Sequence, residues 1–285
     1  MAILQNKIDF EAIIEVKDAN PNGDPLNGNM PRTTYDGLGE ISDVCIKRKI
    51  RNRLLDMGEK IFVQSDDKNV DGYHSLRERA EANKAFKAQL DKKKKADLEE
   101  AARVACEEWI DVRAFGQVFA FKGAELSLGV RGPVTVQPAF SVESIDTTSL
   151  QIVKSVNSEA TDGKASDTMG TKHRVDFGVY VLKGSVNVQL AEKTGFEEED
   201  AEKVKEAIRT LFINDVSSAR PDGSMRVVKL YWWKHNCKIG QYSSKKVHDS
   251  VSITKKENTA AKSVDDYQIA YTPLEGLEVM EYEGV

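Results

Sequence analysis

Apolar and polar residues alternate near the start of the chain. In residues 7–17, "KIDFEAIIEVK", apolar side chains occupy every second position, and mostly charged residues lie between them. These positions are Ile8, Phe10, Ala12, Ile14 and Val16. A period of two is typical of a strand with one buried face. The pattern therefore predicts a half-buried strand.

The next periodic segment is helical. In residues 41–58, "ISDVCIKRKIRNRLLDMG", Ser42 is a suitable N-cap and Gly58 a suitable stop. The apolar side that we expect to be buried consists of Ile46, Ile50, Leu54 and Met57.

Ala, Glu, Lys and Arg dominate residues 71–109, which predicts an insertion of two charged helices. The run "DKKKKADLEE" at 91–100 could bind nucleic acid, but acids flank its lysines, so a solvated helix hairpin is favoured.

Strand patterns return at 111–123 and 126–142, and residues 144–170 then lose periodicity, which predicts an extended excursion or a mobile loop. Another strand is predicted at 175–190. A helix follows at 194–212, where Thr194 and Glu197 have the spacing of a capping box and Ala201, Val204, Ile208 and Leu211 should face the core. The last clear strand is 225–235.

This order of elements predicts the fold class. Strand, helix, strands, excursion, strand, helix and strand suit an α+β fold, an RRM-like or ferredoxin-like palm with large insertions. The last fifty residues have a weak pattern and are expected to pack on the palm.

Composition narrows the class of protein. The 285 residues are 40% hydrophobic and 31% charged, which is typical of a globular chain. A formal net charge of −5 argues against nucleic acid as a partner, although binding depends on the local field. Three cysteines without a close pair favour a reducing cytoplasm, and no run approaches the roughly 20 apolar residues of a membrane span.

The loop "DANPNGDPLNGNMPR", residues 18–32, begins like a calcium-binding loop. Asp18, Asn20 and Asn22 occupy ligand positions, but the twelfth position is Asn29 in place of a bidentate Glu. A degraded metal site and a contact loop both remain open at this point. Asp18, Asp24 and Asp36 could also chelate Mg²⁺, although Asx turns explain such residues more often.

Two groups of cations could hold phosphates. The helix carries Lys47, Arg48, Lys49, Arg51 and Arg53, with only Asp43 and Asp56 as local acids; a solvated face paired with acids ranks slightly ahead of a binding patch.

The second group is in "TMGTKHRV", residues 168–175, where Lys172, His173 and Arg174 follow Met169. Met169 could wedge between bases while the cations hold phosphates, or it could simply fill a hairpin core, which is the more common case.

The remaining sequence motifs give little evidence of RNA binding, metal binding or catalysis. The segment "FGQVFAFK" matches the RRM aromatic motif poorly, so Phe115, Phe119 and Phe121 are expected in the core. The four histidines have no metal-binding spacing, and no nucleophile elbow, P-loop or dinucleotide motif occurs.

Several segments together resemble the backbone subunit of CRISPR Cascade, the crRNA-guided surveillance complex, and specifically that of the type I-C system. They are "NPNGDPLNGNMPR", "SDVCIKRKIRN", "DVRAFGQVF" with "VRGPV", "TMGTKH", and "AEKTGF" before an acidic helix. They occur in the order found in the family and cover most of the chain.

The resemblance implies four parts: an RRM-like palm (1–65, 110–143 and 174–236), a helical finger (66–109), a β-hairpin thumb (144–173) and a C-terminal extension (237–285). It implies copies lined up head to tail on crRNA, whose exposed bases pair with target DNA. Further partners would be a large subunit and a subunit that binds the 5′ end of the crRNA.

By position, the residues implied to face crRNA are Asn20, Asn22, Arg32, Ser42, Lys47, Arg48, Arg51, Met169, Lys172, His173 and Arg174. Thr171 stands where the resemblance leads one to expect a basic residue, so the thumb contact could be weaker or could come from Arg174. The resemblance implies no cofactor, no metal and no catalytic residue. The alternative is a metal-dependent ribonuclease, as in related type III backbone subunits.

Overall fold

The computed structural model describes residues 2–90, 98–121, 127–156, 169–257 and 260–285. The strands are β1 (Ile8–Ala19), β2 (Gly23–Asp24), β3 (Met30–Pro31), β4 (Leu38–Ile41), β5 (Gly116–Ala120), β6 (Ser127–Arg131), β7 (Val134–Val136), β8 (Ala139–Ser144), β9 (Thr147–Val153), β10 (Met169–Val186), β11 (Met225–Lys234), β12 (Val251–Lys255), β13 (Tyr267–Tyr271) and β14 (Val279–Glu283). The helices are α1 (Asp43–Asp56), α2 (Leu76–Ala82), α3 (Lys84–Leu90), α4 (Leu98–Glu108), α5 (Ile110–Phe115), α6 (Val188–Thr194), α7 (Glu198–Arg209) and α8 (Ser244–His248).

One antiparallel sheet organises the chain. Its strand order is β14-β11-β1-β10-β8-β4, and β7 and β9 also pair with β10. The first strand lies between two strands that are distant in sequence: Ile8 is opposite Val186 of β10 and Lys234 of β11. The mixed α/β fold class with a main antiparallel sheet is therefore confirmed.

Helices α1 and α7 cover one face of this sheet. Ile46, Ile50 and Leu54 of α1 are buried in the main core, as their spacing predicts. The predicted inward residues Ala201, Val204, Ile208 and Leu211 are buried there as well.

The opposite face of the sheet is also buried, so the prediction of a half-buried first strand is wrong. Asp9 and Glu11, which alternate with the apolar residues of β1, are only 0% and 1% exposed. The C-terminal region covers them, because Val247, Val264 and Tyr267 share a separate cluster with residues of the central strands. A period of two could not show this second layer, since charged residues normally face water.

The helical insertion has its own apolar cluster. Phe86, Trp109 and Phe119 meet there, which places Phe119 in a core as predicted. Three helices are described where two were predicted, because the chain leaves helical geometry at Asn83, which caps α3 by accepting a hydrogen bond from the Phe86 amide. Residues 91–97 of the lysine-rich run lie outside the described residues.

Two local predictions are wrong. The strand predicted at 111–123 begins only at Gly116, because residues 110–115 form α5. The capping box uses Glu197 and Asp200, while Thr194 ends the preceding helix α6 and donates to the Leu190 carbonyl. None of the helices in the described ranges has the length and apolar character needed to cross a membrane.

Candidate nucleic-acid interface

A two-stranded arm extends from the main sheet. It consists of β9 and residues 169–175 of β10, with Met169 opposite Val153 and Val175 opposite Thr147. Its far end is exposed on both strands: Ile152 is 51% and Met169 63% exposed. Residues 157–168, which belong to the predicted thumb, lie outside the described part of the chain.

The four predicted residues of the arm do not form one group. Successive side chains of a strand point to opposite faces, so Met169 and His173 share one face while Lys172 and Arg174 share the other. The hydrogen bond between Ser149 Oγ and His173 Nδ1, 2.8 Å long, agrees with this pairing. Met169 and Lys172 therefore contact different surroundings.

An ion pair joins the base of the arm to the 18–32 loop. Arg174 Nη2 lies 3.2 Å from Asp18 Oδ1, and Arg174 Nε lies 3.5 Å from Asp176 Oδ1. Asp18 itself adopts a positive φ of 54°, which an aspartate tolerates better than most residues. Because Arg174 already has two carboxylate neighbours, Lys172 is the more available cation of this face.

Within the loop, side-chain amides hold the backbone. Asn22 Oδ1 accepts hydrogen bonds from the Ser42 amide at 2.9 Å and from Ser42 Oγ at 2.8 Å, while Ser42 Oγ caps α1 at the Cys45 amide. Asn20 Nδ2 donates to the Asn29 carbonyl at 2.6 Å. The structure thus brings the loop and the start of α1 together.

These contacts also engage the oxygens that would have to bind calcium. The oxygen of Asn22 accepts from Ser42, and the carboxylate of Asp18 pairs with Arg174. Asp24 accepts from the Leu26 amide and caps a short turn. The loop oxygens are directed to separate partners, and no group of three acids, histidines or cysteines suited to a metal ion occurs among the described residues.

Arg32 has spare hydrogen-bonding capacity. Its side chain is 36% exposed, and Nη2 lies 3.5 Å from Asp24 Oδ1. Its Nε is buried without a hydrogen-bond partner. A buried donor without a partner is costly, so this guanidinium can gain from an incoming anion.

The cations of α1 are mostly engaged within the protein. Lys47 pairs with Asp43 at 3.0 Å, and Arg51 Nε donates to the buried Asp111 at 3.0 Å. Arg48 Nη1 donates to the Val63 carbonyl at 2.6 Å. An acid that is distant in sequence also neutralises this helix, because Asp111 lies 60 residues further along the chain than Arg51.

The surroundings of α1 change the pKa of one of its arginines. Burial, and then the neighbouring charge of Arg51, lower the pKa of Arg48. Asp111 also accepts from the Phe62 amide at 2.7 Å and the Val63 amide at 3.1 Å, so one carboxylate joins α1 to the start of the insertion. Sequence reasoning missed Asp111, because it stands in a segment predicted to be a strand and no local pattern distinguishes it.

Residues 6–272 match the family described as "CRISPR-associated protein Cas7". A curated protein of that name from Haloferax volcanii is 27% identical over 221 residues, and the match covers 70% of this chain. The chain spans only 62% of the length of that relative.

A solved structure supports the fold. A chain described as "CRISPR RNA-guided surveillance complex, pre-nicking" has a TM-score of 0.50 and 17% identity, over 80% of this chain and 78% of that one. The likeness to this structure concerns the fold, while the family match extends over almost all of the sequence. The chain belongs to the CRISPR-associated protein Cas7 family.

Proposed function

We propose that this chain is the crRNA-binding backbone subunit of a CRISPR surveillance complex of type I-C. Copies bind head to tail along the guide RNA and leave its bases free to pair with target DNA. The observation that carries the proposal is the family match over residues 6–272. The motifs resembling type I-C subunits, such as residues 20–32, support the subtype.

The sheet order supports an RRM-like palm. Strands β11, β1, β10 and β8 are neighbours in that order, with α1 following β1 and α7 following β10 along the chain. This is the arrangement expected of two β-α-β halves that share one sheet. The helical insertion would be the finger, and the arm would be the thumb.

The contacts divide the proposed RNA-facing residues by role. Asn20, Asn22 and Ser42 shape the loop backbone, so they act through close approach of main-chain groups to the RNA. Arg32 and Lys172 would bind phosphates. Arg174 and Arg51 chiefly position neighbouring elements through Asp18 and Asp111.

The remaining proposed residues have different environments. Lys47 is half-buried and paired with Asp43, so it would exchange a weak, partly exposed ion pair for a phosphate. Arg48 holds the Val63 carbonyl, while Met169 and His173 lie on the opposite face of the arm from Lys172. The face with Met169 and His173 would contact a base of the crRNA.

The proposal describes a scaffold without catalytic activity or a cofactor. The alternative is a metal-dependent ribonuclease that uses a loop aspartate. Asp18 pairs with Arg174 and Asp24 caps a turn, and both contacts favour the scaffold. Complementary RNA incubated with the assembled complex and Mg²⁺ should stay intact, whereas regularly spaced cuts lost in one Asp→Ala variant would establish the ribonuclease.

Partners and location follow from the same proposal. Besides crRNA, target DNA and further copies of itself, the chain would meet a large subunit and a subunit at the 5′ end of the crRNA. The cytoplasm is the proposed location, and the free thiols of Cys45, Cys106 and Cys237 suit its reducing environment.

Assembly on RNAs of different length tests the proposal. A heterologous contact without closure builds an open filament, so the RNA should set its length. We expect co-expression with longer spacers to give particles of larger mass, each containing the guide RNA. A particle mass that is independent of spacer length, or particles without RNA, would contradict the scaffold.

A further inference from the structure

A cleft of about 700 Å³ lies behind the base of the arm, and the proposed function does not use it. Its walls come from the central strands and from the C-terminal strands β12 and β13. A volume of this size lies within the range of small-molecule sites. The lining includes Lys17, Asp146, Phe177, Lys255, Lys262 and Tyr267.

The first wall combines a cation with an aromatic ring. Lys17 of β1 and Phe177 of β10 are direct partners in the antiparallel sheet, so their side chains stand next to each other on one face. Lys17 is exposed and Phe177 is half-buried. A planar ligand on the ring of Phe177 would therefore have the Lys17 ammonium at its edge.

The second wall repeats this combination. Lys255 and Tyr267 are direct partners between β12 and β13. The ring of Tyr267 stacks with that of Phe177, with centroids 6.5 Å apart and planes inclined by 29°. Tyr267 is only 6% exposed, so its ring supports that of the half-buried Phe177, which supplies the apolar surface of the cleft.

The cleft is lined by three lysines and three acids, but two of the acids already have partners. Asp176 accepts from Thr148 Oγ1 at 2.8 Å and lies 3.5 Å from Arg174 Nε. Glu143 accepts from Lys255 Nζ at 2.8 Å and from the Tyr267 hydroxyl at 2.7 Å, so these three groups satisfy one another.

Lys17 and Lys262, in contrast, are both exposed and form no ion pair with a carboxylate of the described residues, although the charge of Lys262 also acts on Asp266. Asp146 is exposed, and its carboxylate is free to accept a hydrogen bond from a ligand. Two open ammonium groups and one open acceptor remain for a ligand.

We propose that this cleft binds a nucleotide, with the base on Phe177 and the phosphate held by Lys17 and Lys262. An aromatic surface holds any base by stacking, and an ammonium group binds a phosphate as a point charge. Asp146 can accept a hydrogen bond from a sugar hydroxyl or a base amine. The same chemistry fits a free nucleotide and one unit of a nucleic-acid strand.

Titration calorimetry of the full chain with AMP and with adenosine tests the site. We expect AMP to bind more tightly than adenosine, because only AMP carries the phosphate. In Lys17→Ala/Lys262→Ala this preference should disappear. Phe177→Leu keeps an apolar side chain in the cluster, and it should weaken both ligands by roughly tenfold through lost stacking.

A matched control separates this effect from general loss of charge. Lys84→Ala/Lys193→Ala removes two lysines that make no ion pair with a described carboxylate and lie outside this cleft, and it should leave AMP binding unchanged. Absence of AMP binding, or an equal effect of both double variants, would overturn the proposal.

Competition identifies the source of the nucleotide. If the site holds one unit of a strand, a short single-stranded RNA should displace AMP; if it holds a free nucleotide, AMP should stay bound. The inference does not depend on the scaffold role. The Lys17→Ala/Lys262→Ala variant should still assemble on guide RNA, so failure of assembly in the unaltered chain and failure of AMP binding are separate results.

Discussion

Replacing Glu11 by glutamine should remove a pH-dependent cost of folding. Glu11 lies on the face of β1 that the C-terminal region covers, and it is 1% exposed. Its nearest cation, Lys183 Nζ, is 3.7 Å away, and Oε2 has no hydrogen-bond partner. Burial is the largest influence and raises the pKa of Glu11 from 4.5 to about 8, although Lys183 opposes it.

The direction of the change in stability with pH follows from proton binding. The folded protein holds this proton more tightly than the unfolded chain, so the stability is complete below pH 4.5 and is lost as the pH rises to about 8. Three and a half pH units at about 1.4 kcal/mol each give a loss of about 5 kcal/mol. A glutamine side chain cannot ionise, so the Glu11→Gln variant keeps that stability.

Urea unfolding at pH 5 and pH 9 measures the effect. The free energy of unfolding of Glu11→Gln, relative to the unaltered chain, should be higher at pH 9 than at pH 5 by several kcal/mol, at most about 5. Glu278→Gln, at an exposed position, should show no such change. An equal difference at both pH values, or a variant that is less stable at pH 9, would refute the reasoning.

Three further predictions concern the fold and the arm. Asp111→Asn should cost about 3 kcal/mol in urea unfolding, because it leaves a mostly buried guanidinium without its carboxylate. Gly39→Ala should lower the free energy of unfolding by about 1–3 kcal/mol, since the added Cβ would lie 2.2 Å from the Tyr180 hydroxyl. In Gly129→Ala the added Cβ would meet no heavy atom within 4 Å. Lys172→Ala should flatten the salt dependence of guide-RNA binding by a slope of about 0.7 per protomer.

Each of these three predictions has an outcome that would contradict it. A stable Asp111→Asn variant would mean that its ion pair adds little to the fold. Equal stability of the two glycine variants would show that β4 moves away easily from Tyr180. An unchanged salt slope in Lys172→Ala would remove this lysine from the phosphate contacts and leave Arg32 as the main candidate.

Local patterns predict the elements that depend on neighbouring residues. The spacing of Ile46, Ile50 and Leu54 predicts α1, and Ser42 is its N-cap as expected. The same kind of local pattern places the capping box near α7 wrongly. Thr194 and Glu197 have a suitable spacing, but Gly195 lies between them, adopts a φ of 73° and ends α6.

The candidate site is less accessible to sequence reasoning, because its partners are distant along the chain. Arg51 looks free among local residues, yet Asp111 accepts its hydrogen bond. From the helix alone, an alanine triple variant of Lys47, Arg48 and Arg51 is expected to fold normally. The structure changes that expectation, since removing Arg51 leaves the Asp111 carboxylate buried without a cation.

The position of β1 between β10 and β11 has a consequence for synthesis. Strand β1 leaves the ribosome well before its sheet partners, which begin at Met169 and Met225. At typical elongation rates the interval before β11 is complete is roughly 10–40 s. Until β10 is complete the backbone of β1 has neither sheet partner, and until β11 is complete one edge of β1 stays unpaired. Residues 8–19 are therefore a segment through which the nascent chain can aggregate, and a chaperone that binds them would protect the chain until the sheet can close.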